Sequence, residues 1–251
     1  MKYELMKLEN ISLIYHTKIN ENLAIKDVSF KIYENEFLSL VGPSGCGKST
    51  ILSIISGLTK PSKGKIHSNI AKNSIGYMLQ KDCLFGWRTI EQNVLLGLEI
   101  NEKLNNKTKK NTLNILNKYG LGSFLHQYPS QLSGGMRQKA ALARTLACNP
   151  ELLLLDEPFS ALDYQTRIII SGEIREIILK EKKTAILVTH DIYEAISLSD
   201  RILIFSGCPG EIKEELKLCF EDKHVSVLKR RENPNFNKYF EIIWNKISNK
   251  R

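Results

Sequence analysis

Leu8 to Tyr15 and Val28 to Ile32 alternate apolar and polar residues, the pattern of strands with one buried face. The polar run Lys18 to Glu21 between them predicts a turn, so an antiparallel β region is expected to open the chain. Five shorter apolar runs follow, at Glu36–Val41, Ile75–Leu79, Leu152–Leu155, Thr184–Thr189 and Arg201–Phe205. Unbroken apolar runs of this length, separated by helical segments, predict buried parallel strands in an α/β core. Between Gln80 and Leu132 the strand signals vanish, and Ile90–Leu98 and Thr108–Tyr119 carry apolar residues at helical spacing. An inserted helical subdomain is expected over 81–149, with 1–80 and 150–225 forming the β region and core of one domain. Near the end, after a polar turn at Cys208-Pro-Gly210, Phe236, Tyr239, Phe240, Ile243, Trp244 and Ile247 form an i, i+3, i+4 stripe. This predicts a terminal amphipathic helix over 226–251 whose aromatic face packs on the core.

Composition narrows the class without choosing the function. The 251 residues are 42% hydrophobic, enough for a sizeable core. No stretch approaches the ~18 apolar residues of a membrane span, and Met1–Met6 is not followed by an apolar signal region, so a cytosolic chain is expected. The five cysteines are odd in number and show no C-x-x-C spacing, which predicts reduced thiols rather than a disulfide framework or zinc site. A net charge of +9 accommodates nucleic acid, anionic lipid or an acidic partner. The basic runs at Lys103–Lys118 and Lys229–Arg231 read as solvated surface.

The chemistry concentrates in a few segments. Gly42-Pro43-Ser44-Gly45-Cys46-Gly47-Lys48-Ser49-Thr50 contains G-x-x-x-x-G-K-S/T between a predicted strand and a predicted helix over Lys48–Ser56. In that context successive backbone N–H groups and a helix N-terminus cradle phosphate oxygens, and Lys48 adds a point charge. Ser133-Gly134-Gly135 opens a second helical stretch, Met136–Ala147, and also offers free N–H donors to an anion. Only one acidic strand end, Asp156-Glu157, accompanies these two phosphate-binding elements. Ser49 and Asp156 supply the hard oxygens that suit Mg²⁺, and Glu157 stands where it could polarise an attacking water. His190 ends the Thr184–Thr189 strand, where it could donate to a γ-phosphate or hold that water. Gln80 ends the Ile75–Leu79 strand, and its amide could reach Mg²⁺ or water.

With these residues in view, the sequence resembles the ATP-binding subunits of ABC transporters across nearly its whole length. Leu132-Ser-Gly-Gly-Met-Arg-Gln138 resembles the family signature, Ser160-Ala-Leu-Asp163 its D-loop, His190 its switch histidine, Gln80 its Q-loop glutamine and Tyr15 the aromatic that stacks on adenine. The resemblance implies a P-loop NTPase (RecA-like) core and a head-to-tail homodimer. Each ATP and its Mg²⁺ would lie between one phosphate loop and the other copy's Ser133, Gly134 and Gly135, with Asp163 beside the nucleotide. It also implies docking to integral membrane permease subunits through Gln80–Trp87, at the cytoplasmic side of the membrane, and indirect dependence on an extracytoplasmic solute-binding protein. Phe85-Gly-Trp-Arg-Thr89 and Cys208-Pro-Gly-Glu-Ile212 are most similar to the nitrate/sulfonate/taurine-type importers, whose relatives also serve thiamine-precursor uptake. Lys81-Asp82 and Gly86 depart from that pattern where the membrane partner docks. Two alternatives stand beside the importer: an export ATPase and a soluble nucleic-acid-associated ABC ATPase. Against the latter, only a short helical segment separates Gln80 from the signature and the chain holds one ATPase unit, so no nucleic-acid partner is expected.

Overall fold

The computed structural model describes residues 3–16, 20–220 and 225–248. The turn expected at Lys18–Glu21 falls partly on residues 17–19, outside the described residues. In chain order the elements are β1 (Glu4–His16), β2 (Glu21–Tyr33), β3 (Phe37–Val41), α1 (Lys48–Ile55), β4 (Lys63–Ser68), β5 (Ile75–Met78), α2 (Ile90–Ile100), α3 (Asn106–Lys118) and α4 (Gly134–Ala147). There follow β6 (Leu152–Asp156), α5 (Tyr164–Lys180), β7 (Thr184–Val188), α6 (Ile192–Leu198), β8 (Arg201–Phe205), β9 (Ile212–Lys217), α7 (Val227–Glu232) and α8 (Asn235–Ser248).

The strands build two sheets. A three-stranded antiparallel sheet runs β2-β1-β4, and a six-stranded sheet runs β5-β6-β7-β3-β8-β9. Its first five strands are parallel and β9 is antiparallel to β8. Residues of β3, β6, β7 and β8 are buried throughout, which explains why they read as unbroken apolar runs: a parallel sheet covered on both faces has no polar side. Alternation along β6 shows the two covers. Leu153 and Leu155 pack with α2, α4 and α5, while Leu152 and Leu154 face α1 and the antiparallel sheet.

Two strands have no clear signal in the sequence. β4 and β9 are sheet edges rich in charge, Lys63-Gly-Lys-Ile-His-Ser68 and Ile212-Lys-Glu-Glu-Leu-Lys217, and edge strands carry such residues because they discourage pairing with other chains. The terminal helix expected over 226–251 is instead two helices, α7 and α8, within the described residues. The break falls at Asn233, whose ψ of 132° is extended, because the ring of Pro234 disfavours a helical residue before it. The stripe on α8 behaves as expected: Phe236 and Ile243 are buried, and Tyr239, Phe240 and Ile247 pack against the same cluster.

One buried ion pair fastens the two sheets together. Arg201, the first residue of β8, donates to Glu36 Oε1 at 2.7 Å and Oε2 at 3.3 Å, and Glu36 Oε1 also accepts the Tyr33 N–H at 2.7 Å. Both side chains are at most 5% exposed, so removing Glu36 leaves the buried Arg201 guanidinium with only the half-exposed Glu215 carboxylate at 3.1 Å. Glu36→Ala is therefore expected to lower unfolding stability by about 3–5 kcal/mol, measured by urea denaturation. A loss below about 1 kcal/mol, the range of an exposed pair, would remove the pair from this role.

Candidate active site

Because β5, β6, β7 and β3 are parallel neighbours, their carboxyl ends open onto one edge of the sheet, where ligands of open α/β sheets bind. Gln80 follows β5, Asp156-Glu157 closes β6, Thr189-His190 follows β7 and the Gly42 loop follows β3.

The loop after β3 is shaped by its glycines. Gly47 is the N-cap of α1 with φ 90°, and a Cβ there would stand 2.4 Å from Ile25 Cδ1, so only glycine suits both the left-handed backbone and the contact with β2. The free N–H groups at the start of α1 open onto a groove of about 300 Å³. Tyr15, Ser44, Gly45, Gly47, Lys48, Ser49, Thr50 and Glu157 line it. Tyr15 is 44% exposed, with its hydroxyl 3.4 Å from Thr50 Oγ1. Gly42, Pro43 and Cys46 do not line the groove. Instead the Lys48 ammonium donates to the Gly42 and Pro43 carbonyls at 2.9 Å each and lies 3.6 Å from Cys46 Sγ. Burial pushes the Cys46 thiol pKa up, partly countered by Lys48.

Beside this loop, Ser49 Oγ donates to Asp156 Oδ1 at 2.8 Å and Tyr77 Oη to Asp156 Oδ2 at 3.4 Å. Burial raises the Asp156 pKa against both hydrogen bonds, and burial with the neighbouring carboxylate pushes Tyr77 up to about 12. The next residue, Glu157, has φ 44°, a left-handed conformation uncommon outside glycine that marks a constrained strand exit. Its N–H is fixed on Val188 O at 2.9 Å, and its carboxylate is met from both flanks. Gln80 Nε2 donates to Oε2 at 3.2 Å and His190 Nδ1 lies 3.3 Å from Oε1. Three sequence-predicted residues from three strands thus meet at one carboxylate.

The Ser133 turn is set apart from Lys48. Ser133 caps α4 by accepting the Met136 N–H at 3.3 Å, and the Gly134 and Gly135 N–H groups precede any intrahelical acceptor. Gly134 lines a second groove, of about 640 Å³, shared with Gln80, Glu157, Ser160 and His190 but not with Lys48. Asp163 lines neither groove; it caps α5 through Oδ1 on the Thr166 N–H at 3.0 Å, and that hydrogen bonding lowers its pKa. Size alone would have misplaced the site. Larger depressions of about 780 and 840 Å³ lie at Tyr119 and Arg201, without this convergence of a phosphate loop and carboxylates.

Residues 25–160 match the ABC transporter family. The chain belongs to that family. It is 44% identical to an uncharacterized ABC transporter ATP-binding protein of Bacillus subtilis, over 97% of this chain and 95% of that one. The taurine import ATP-binding protein of Pelagibacter ubique is 37% identical over 94% of both chains. The formylaminopyrimidine import ATP-binding protein of Halalkalibacterium halodurans is 42% identical over 83% of this chain and 82% of that one. Among solved structures, a dimeric ATP-binding cassette in a post-hydrolysis state with ADP and Pi superposes with a TM-score of 0.73 at 33% identity, covering 86% of this chain and all of that one. The protein is therefore an ABC ATPase that binds and hydrolyses ATP.

Sequence reasoning missed several parts of this ABC cassette's site. Asn22, Ala24 and Cys208 line the Lys48 groove; Cys208 arrives because the turn after β8 bonds to β2, Gly210 N to Ala24 O at 2.9 Å and Lys26 N to Gly210 O at 3.0 Å. That contact is non-local and leaves no local pattern. Glu194 was also missed. It accepts from Thr189 Oγ1 at 2.8 Å, and the same oxygen accepts the Asp191 N–H at 3.1 Å, so Glu194 braces the turn that presents His190.

Glu194 also carries a pH consequence. Burial pushes its pKa from 4.5 up to about 8, against the Thr189 hydrogen bond. Between those values the native state keeps a proton that the unfolded state has released, so stability falls as pH rises from about 4.5 through about 8, by an amount on the order of a few kcal/mol. Glu194→Gln, neutral at every pH, is expected to melt above wild type at pH 8.5 and close to it near pH 4.5. Parallel melting profiles for the two proteins would show that Glu194 is ionised in the fold.

Proposed function

We propose that this chain is the ATP-hydrolysing subunit of an ABC importer, acting as a head-to-tail homodimer that couples ATP-driven closure to solute passage through separate membrane subunits. The observation that carries this reading is the separation of the two phosphate-binding backbones. The groove at Lys48 has no lining residue from the Ser133–Gly135 turn, so a second copy must bring that turn if both are to hold one triphosphate. The relative in a post-hydrolysis state is likewise dimeric and bound to ADP and Pi.

The residues divide the work as follows. Tyr15 stacks on the adenine. The backbone of Ser44 to Ser49, with Lys48 swung from its carbonyl acceptors, holds the β- and γ-phosphates. Ser49 and Asp156 are hard oxygen donors already 2.8 Å apart, the donor type Mg²⁺ takes, with Gln80 completing the set through its amide oxygen. Bound there, Mg²⁺ would neutralise charge on the phosphate oxygens. Glu157 accepts a proton from the attacking water, and His190 and Gln80 fix the carboxylate's direction from its two sides. ATP and water give ADP and phosphate as that proton leaves the nucleophile. Ser133, Gly134 and Gly135 donate to the γ-phosphate in the partner's site, with Asp163 at the junction between copies. Closure therefore depends on the γ-phosphate and is released by its loss.

Import is supported by the roles of relatives, which include taurine and formylaminopyrimidine import. We assign a small solute of that kind, of nitrate/sulfonate/taurine or thiamine-precursor type, delivered by an extracytoplasmic binding protein. No helix among the described residues is long and apolar enough to cross a membrane, so in this reading the path for solute belongs to permease subunits docked at the cytoplasmic face. The stacked, exposed Phe85 and Trp87, with centroids 4.8 Å apart, form their contact point.

Glu157→Gln is expected to bind Mg·ATP, lose at least about 100-fold in turnover, as removal of a catalytic base does, and accumulate as a dimer. Size-exclusion chromatography with and without Mg·ATP checks this. A variant that binds ATP yet stays monomeric would contradict the shared site.

A further inference from the structure

The basic run on α3 lines neither groove of the ATP site. Between Glu99 and Glu151 the only acidic residue of the sequence is Glu102, against eight lysines and arginines. α2 ends on Ile100, which is 73% exposed, and the turn into α3 leaves Leu104 39% exposed. That turn is firmly built. The Lys103 N–H donates to Leu98 O at 2.9 Å, Thr108 Oγ1 donates to Lys103 O at 2.8 Å, and Asn105 Oδ1 accepts the Lys107 and Thr108 N–H groups at 3.0 Å each. Lys103, Lys107 and Lys110 are exposed along it, while Thr112 and Leu116 bury the other side of α3. Lys109 is held by Glu91 at 3.1 Å and Lys118 by Glu181 at 3.3 Å, whereas among the described residues no carboxylate pairs with Lys103, Lys107 or Lys110.

We propose that the α2–α3 turn and the exposed side of α3 rest on an anionic phospholipid surface, with Lys103, Lys107 and Lys110 on headgroup phosphates and Ile100 and Leu104 entering the interface. Exposed aliphatics beside lysines free of carboxylates suit such a surface: the charges draw the protein to acidic lipid, and the apolar tip gains a contact that water does not offer. Long lysine stems lie along the apolar boundary while their ammonium groups stay at headgroup level. RNA, the other polyanion, is poorly served here, because Ile100–Lys118 contains no arginine and no aromatic residue on which a base could stack. The position also suits a membrane. Arg88, next to the exposed Trp87, donates to Glu99 Oε2 at 2.7 Å, so the contact point assigned to the permease and the Ile100 tip are joined by a single ion pair. Direct lipid contact extends the membrane-docking reading above, but vesicles without a permease test it, so either can fail alone.

Co-sedimentation of the full chain with vesicles tests this, using equal parts phosphatidylglycerol and phosphatidylcholine in one set and phosphatidylcholine alone in the other. Wild type is expected to bind the acidic vesicles about 100-fold more tightly than the neutral ones, the combined weight of three lysines at an acidic surface. The preference should vanish near 1 M salt, where the screening length shrinks to about 3 Å. Each of Lys103→Gln, Lys107→Gln and Lys110→Gln should weaken acidic-vesicle binding about fivefold, and the triple variant should bind both vesicles alike. Ile100→Ser combined with Leu104→Ser should weaken binding to both and leave the salt dependence in place. Lys60→Gln, Lys63→Gln and Lys65→Gln together remove the same charge from exposed positions at and before β4, and should change binding by less than about twofold. Every variant should keep the melting temperature and ATP turnover of wild type. Equal binding of wild type to the two vesicles, or binding to neither, would overturn the proposal. Equal losses in the two triple variants would overturn it as well, since net charge rather than this face would then be responsible. An RNA oligonucleotide that displaces the vesicles and depends on the same three lysines would give the face to nucleic acid instead.

Discussion

The site depends on parallel pairing within the central sheet. β3 lies between β7 and β8, and β6 between β5 and β7, so the strands that lead into the Gly42 loop, Gln80, Asp156-Glu157 and His190 all end on the same edge. Burial on both faces fixes that register, since a one-residue slip of β6 would turn Leu153 and Leu155 from the helices toward the antiparallel sheet. Register in turn sets the chemistry. Asp156 pairs across to Val188, and the Glu157 N–H bonds the Val188 carbonyl, so Glu157 and His190 emerge side by side. The left-handed bend at Glu157 then aims its carboxylate between His190 and Gln80.

Electrostatics at this edge run against the chain's overall charge. The molecule carries +9, yet the centre of the site holds two adjacent carboxylates, one of them with its pKa raised by burial. Such an arrangement favours cations there, among them the Lys48 ammonium close by. Glu194 lies one layer deeper, where burial raises its pKa and so disfavours a third negative charge, and it steadies the His190 turn through Thr189.

The parts of this design legible in the sequence share one property: local pattern and function coincide. The phosphate loop is contiguous, and the strand ends that carry Asp156, His190 and Gln80 follow apolar runs that only a doubly covered parallel sheet explains. What could not be read is non-local or masked by charge. Cys208 reaches the nucleotide groove through the contact of Gly210 with β2, some 185 residues from Leu23, whose carbonyl its thiol approaches at 3.7 Å. The edge strands β4 and β9 hide behind lysines and glutamates. Pro234 splits the terminal helix, although the aromatic stripe that follows it is correctly periodic. Asp163, which the resemblance puts beside the nucleotide, is within one chain the cap of α5 and lines neither groove.

The shared site is the core of the account, and subunit mixing addresses it most directly. Lys48→Ala disables the phosphate loop and leaves the Ser133 turn intact, while Gly134→Asp places a carboxylate where a phosphate would be met, at a helix N-terminus that tolerates one. Each variant alone is expected to hydrolyse little ATP. Mixed, they form a heterodimer in which the sound loop of one chain faces the sound turn of the other, and turnover should rise above both parents, peaking near equal proportions. Turnover that never exceeds the sum of the parents at any ratio would mean that each chain completes its own site.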